Sequence, residues 1–132
     1  MAYTEKNMQT AVNKWLRSYW QRGSAAFELK ICKKQSLAFS RVLAHQLDGL
    51  LNAKHHTIVK KLSDLDPSLK PFDSFLLTKT EAYVTVLYYQ PRKQKEVYFI
   101  DIDDFLEECA NCKRKSLTQK RAKEISTVIA RI

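Results

Sequence analysis

The chain has 132 residues and a formal charge of +9, from 23 basic against 14 acidic side chains, with two glycines and three prolines. That length suits one domain with a real core and is too short for two ordinary ones, and so little glycine and proline argues against long linkers or disorder. The positive excess attracts polyanions, with nucleic acid the leading partner class and a membrane surface a weaker one. No apolar run approaches the roughly 20 residues of a membrane span. Segment 1–6 lacks the apolar core of a signal peptide, and three cysteines suit a reducing compartment, so the expected location is the cytoplasm.

In chain order, Thr4 is placed to cap a first helix whose apolar positions Met8, Ala11, Val12, Trp15, Leu16 and Tyr19 follow the 3.6-residue period to about position 21. Glu5 lies one turn before Met8 on that stripe, at the edge of the core. A strand follows from Phe27 to Ile31, in which Phe27, Leu29 and Ile31 share one face and Glu28 and Lys30 share the other. The loop after it carries Lys33 and Lys34.

A second helix is expected from about Ser36 to Ala53, with the stripe Phe39, Val42, Leu43, Leu47, Leu50 and Leu51. Gln46 falls on the same side, where an aliphatic residue is expected, and a polar group there needs a partner. The runs 57–62, 73–77, 82–89 and 96–101 read as strands rich in β-branched and aromatic residues. The loop 90–95 is a hairpin tip bearing Arg92, Lys93 and Lys95. Asp103 is placed to cap a short helix, and a basic run that includes Lys113 and Arg114 precedes Ser116 and Gln119. These two form a capping-box pattern for a terminal helix with Ala122, Ile125, Val128, Ile129 and Ile132 on one face. The order of elements predicts a single-domain α/β or α+β sandwich around a mixed sheet.

Cys109-x-x-Cys112 is half of a zinc-ligand pattern without a second pair, and no glycine-rich phosphate loop is present. Glu28 and Lys30, sharing one face of their strand, form an E-x-K pair of a kind that any amphipathic strand can carry. The helix with Glu5, the strand Phe27-Glu28-Leu29-Lys30, the basic loop, His45-Gln46, and Val97 to Asp101 feeding Asp103-Asp104-Phe105-Leu106 together resemble the PD-(D/E)xK nuclease superfamily. Within it they are most similar to the Holliday junction resolvases of the RecU and archaeal or phage type.

The resemblance implies a restriction-endonuclease-like mixed central sheet flanked by helices, and a prokaryotic or phage-infected cell as host. It also implies a site in which an Asp and Glu28 hold Mg²⁺ or Mn²⁺, helped by the Leu29 carbonyl, with Lys30 beside the attacking water. Hard oxygen ligands suit Mg²⁺, which binds few carboxylates and keeps several waters. The family carries its aspartate on a strand shortly before E-x-K, yet segment 21–27 holds no acid. Asp73, at a strand start fixed by Pro71, is the best replacement, with Asp64 next and Asp66 behind it.

Glu5 resembles the family's first-helix glutamate and Gln46 the helix glutamine beside the lysine. Lys33, Lys34, Arg92, Lys93, Lys95, Lys113 and Arg114 are the expected contacts to backbone phosphates, which bind without reading sequence. The implied activity is structure-selective hydrolysis of branched DNA by a homodimer, since a four-way junction needs two symmetric cuts. The alternatives are a non-catalytic DNA-binding module on the same fold, or a nuclease acting on flaps, ends or damaged duplex.

Overall fold

The computed structural model describes residues 3–61 and 72–132. Helix α1 (Glu5–Tyr19) begins with the expected cap: Thr4 Oγ1 accepts from the Asn7 amide at 3.2 Å, and Asn7 Oδ1 accepts from the Thr4 amide at 2.9 Å. Its buried side, led by Met8 and Val12, is the one the periodicity marks. Strand β1 (Ala25–Cys32) follows.

The expected long second helix is three pieces. Strand β2 (Ser36–Ala38) is followed by a 3₁₀ turn (Phe39–Arg41), and helix α2 (Ala44–His55) starts only then. The cause is non-local: β2 pairs antiparallel with β7 (Ser116–Thr118), which sets Leu37 opposite Leu117, both fully buried. Strands β3 (Thr57–Lys61) and β4 (Ser74–Thr78) form a separate antiparallel ribbon. Strands β5 (Glu81–Tyr88) and β6 (Glu96–Asp101) then make the hairpin, as expected.

Helix α3 (Ile102–Asn111) is capped by Asp101 rather than Asp103: Asp101 Oδ1 accepts from the Asp103 amide at 2.9 Å. Helix α4 (Gln119–Ile125) is capped by Thr118 rather than Ser116, and it stops early because Val128–Arg131 forms β8, paired with β6.

The central sheet has the order β1-β5-β6-β8, with β1 parallel to β5 and the other pairs antiparallel. Alternation along β5 and β6 divides the core. Tyr83, Leu87, Val97 and Phe99 pack with Met8 and Val12 of α1, while Val84, Val86, Tyr98 and Ile100 pack with Leu50 of α2, Phe105 of α3 and Ala122 of α4. A mixed sheet with helices on both faces is the predicted α/β class. Among the described residues, no helix is long and apolar enough to cross a membrane.

Candidate active site on the edge strand

β1 lies at one edge of the sheet, with β5 as its strand neighbour. Phe27, Leu29 and Ile31 pack with the α1 layer, so Glu28 and Lys30 project to the opposite face, between Ala26 and Cys32 of the α2 layer. Lys30 Nζ stands 3.5 Å from Glu28 Oε1, with 11% of the lysine side chain and 27% of the glutamate exposed. The separation exceeds that of a charge-assisted hydrogen bond, about 2.7–2.9 Å. Lys30 and Glu28 are thus a loose ion pair, in which Glu28 is the more open partner.

Carbonyl direction along β1 follows the same alternation. The Ser24 and Cys32 carbonyls accept from Glu81 at 3.4 Å and Tyr89 at 2.7 Å, on the β5 side. The Ile31 carbonyl instead accepts from Arg41 Nη1 at 2.7 Å, away from β5. Leu29 shares the parity of Ile31, so its carbonyl also points to the side of β1 away from β5. Residue types and placement therefore suit a hard divalent cation at Glu28 and the Leu29 carbonyl. A complete protein cage is not assembled: among the described residues, no group of three or more His, Cys, Asp or Glu is placed to hold a metal.

The C-terminal end of β1 opens into a cleft of about 530 Å³ lined by Lys33, Lys34, Arg41, Tyr3 and Glu5. Glu5, the first residue of α1, faces these cations across the cleft and is exposed. Lys30 is two residues before Cys32, which also lines the cleft, a distance of about 7 Å along the strand.

The other nominated residues divide. Gln46 is on the first turn of α2, where its Oε1 accepts from the Leu43 amide at 2.9 Å. The partner that a polar residue on this stripe requires is thus a helix-terminal amide. Asp73 is exposed and immediately precedes β4, whose pairing is with β3 and not with β1. Asp64 and Asp66 lie outside the described residues.

Arg92 and Lys93 are exposed on the β5–β6 turn, where Arg92 adopts a left-handed φ of 63°. β1 and β5 run parallel with Cys32 opposite Tyr88, so this turn emerges at the same end of the sheet as Lys33 and Lys34. Arg114 reaches that end through the β2–β7 pairing, and Lys113 is its exposed neighbour. Lys95 is partly withdrawn, its ammonium 5.2 Å from the ring centre of Tyr3 and 5.8 Å from that of Tyr89.

Sequence reading missed a polar network at the opposite end of the sheet. Lys54 Nζ bridges Asp101 at 2.7 Å and Asp103 at 2.6 Å, and His55 Nε2 is 3.1 Å from Asp103. Nearby, Arg22 pairs with Glu81 at 2.7 Å and the Tyr83 hydroxyl donates to the same carboxylate. The Lys54 hydrogen bond lowers the Asp103 pKa. Burial pulls Lys54 down, but its bonds to Asp101 and Asp103 outweigh it and raise the pKa. Glu81, pushed up by burial, ends lowered by Tyr83 and Arg22, while burial and then Glu81 push Tyr83 up to about 12. The available signal was the position of Lys54 on the last turn of a helix, facing acids at a strand end.

Neither a family model, nor a curated protein, nor a solved structure matches this chain.

Proposed function

We propose that the protein is a Mg²⁺-dependent, structure-selective DNA endonuclease, with four-way junctions as the leading substrate and a homodimer as the working form. The observation that carries this reading is the shielded Lys30 held 3.5 Å from the more open Glu28 on an edge strand that leads into a basic cleft. A lysine confined beside a carboxylate has a purpose on a phosphodiester: it orients the attacking water or stabilises charge developing on the phosphate. Glu28 and the Leu29 carbonyl would hold the cation, with Asp73 as the proposed second acid. When bound, the ion lowers the pKa of its water and stabilises negative charge on the phosphate. Lys33, Lys34 and Arg41 contact the backbone beside the cut.

A non-catalytic DNA-binding module is the second reading. What favours it is the pairing of β4 with β3, which leaves Asp73 outside the strand pair that carries Glu28. The test is to incubate wild type, Glu28→Ala, Lys30→Ala and Asp73→Ala with labelled four-way junctions, flaps and linear duplex, in Mg²⁺ and in EDTA. Metal-dependent cutting of junctions by the wild type, lost in the variants with binding retained, supports the nuclease. Binding without cutting of any substrate supports the module, and preferential cutting of flaps or ends would reassign the substrate.

A further inference from the structure

Ser36 and Ser116, 80 residues apart, are joined by a 2.6 Å hydrogen bond between their hydroxyls. The Gln119 amide donates to the Gln35 carbonyl at 2.9 Å. This stitching sets the loop after β1 against α4 and forms a second cleft, of about 570 Å³, lined by Lys34, Arg114, Lys120 and Lys123. None of these four cations makes an ion pair among the described residues. Arg121, on the same short helix but outside the cleft, is neutralised by Glu108 at 2.9 Å and Glu124 at 3.0 Å. Glu96 is the carboxylate lining the cleft, and it faces Arg131 at 3.8 Å. Uncompensated positive charge is therefore gathered in this concavity and not spread evenly over α4.

The cleft shares Lys34 and Ser36 with the one beside β1, so the two make one continuous surface around that loop. Its aromatic residue, Tyr98, is 1% exposed and its hydroxyl accepts from Gln119 Nε2 at 3.1 Å, so its ring is not offered for base stacking. Cations without a stacking platform suit a phosphodiester backbone and not unpaired bases.

We propose that this second cleft is a backbone-binding track for a further duplex arm of the DNA, with Lys120 and Lys123 joining Lys34 and Arg114 as phosphate contacts. The proposal rests on the DNA-binding part of the reading above and not on its chemistry. The test compares wild type, Lys120→Ala/Lys123→Ala and the distal control Lys14→Ala/Arg17→Ala, which removes the same charge from exposed positions of α1. Binding of four-way junctions and linear duplex is measured from 50 to 300 mM salt, with unchanged melting temperature as the check on folding. The cleft variant should lower the magnitude of the log–log salt slope on junctions by about two and weaken binding by about one to two orders of magnitude at 0.1 M salt. The control should change neither by more than a small factor.

Equal losses in both variants would overturn the site in favour of a general charge effect. Displacement of DNA by poly-glutamate at equal charge concentration would overturn it in favour of an acidic protein surface. Wild type that binds no DNA would overturn both the track and the reading it rests on. Binding with the predicted slope but no Mg²⁺-dependent cutting would sink the nuclease and leave the track standing.

Discussion

Lys30 Nζ lies 3.5 Å from Glu28 Oε1 on a face of β1 where the lysine keeps only 11% of its side-chain surface exposed. Shielding of this kind makes the two ends of the pair unequal. Removing the carboxylate takes the nearest counter-charge from a largely shielded lysine, whereas replacing the lysine by an apolar side chain of similar length removes the desolvation cost with it. Glu28→Gln is therefore expected to lower stability by about 1–2 kcal/mol, and Lys30→Met by less than about 1 kcal/mol, in chemical denaturation. Lys30→Met should nonetheless abolish cleavage. A Lys30→Met protein that is well folded and fully active would remove the lysine from the chemistry.

Gln46 is legible as a polar residue on an apolar stripe, and one partner it takes is local. Its Oε1 accepts from the Leu43 amide at 2.9 Å, so Gln46→Ala should cost about 0.5–1 kcal/mol of stability through the helix start and change cleavage by less than about threefold. Gln46→Glu, which preserves the acceptor, should restore the stability. A loss of cleavage beyond tenfold in Gln46→Glu at unchanged stability would instead return this residue to the site.

The network around Lys54 makes a pH-dependent contribution to stability at both ends of the range. Asp103 has a folded pKa below its ordinary 3.8, and Glu81 one below its ordinary 4.5. Their contribution is present above those ordinary values and is lost as pH falls through the lower folded ones. Lys54 titrates above its ordinary 10.5, so its contribution is complete below that value and is lost as pH rises past the folded one. The network's contribution to melting temperature should be constant from about pH 5 to pH 10 and fall on both sides. Lys54→Met should lower the plateau and flatten the acid limb, and an acid limb unchanged from wild type would contradict this assignment.

Asp73 tests the proposed second acid. Asp73→Asn should reduce Mg²⁺-dependent cleavage by at least a hundredfold while junction affinity and melting temperature stay near wild type. Full activity in Asp73→Asn, with loss in Asp64→Asn, would move the role to Asp64.

Local signals carried most of the fold. The Thr4–Asn7 cap, the Met8–Val12 face, and the alternation that divides β5 and β6 between two core layers are all readable from short windows of sequence. Elements made by distant partners were not. Segment 36–43 carries a helical period, yet Leu37 is buried against Leu117 across the β2–β7 bridge. The terminal run Val128–Arg131 is helical by pattern but completes the edge of the sheet on β6. For the site, alternation alone put Glu28 and Lys30 on one face. The gathering of Arg114, Lys120 and Lys123 around Lys34 depends on the β2–β7 bridge, a contact 80 residues long that no local pattern encodes.

The most direct test is single-turnover cleavage of an end-labelled four-way junction by wild type and Glu28→Gln, each at saturating protein and titrated with Mg²⁺. Metal-dependent cutting by wild type is expected, with none in EDTA and a loss of at least a thousandfold in Glu28→Gln while junction binding stays intact. Intact junction in the wild-type reaction at every Mg²⁺ and Mn²⁺ concentration, despite tight binding, would contradict the nuclease reading.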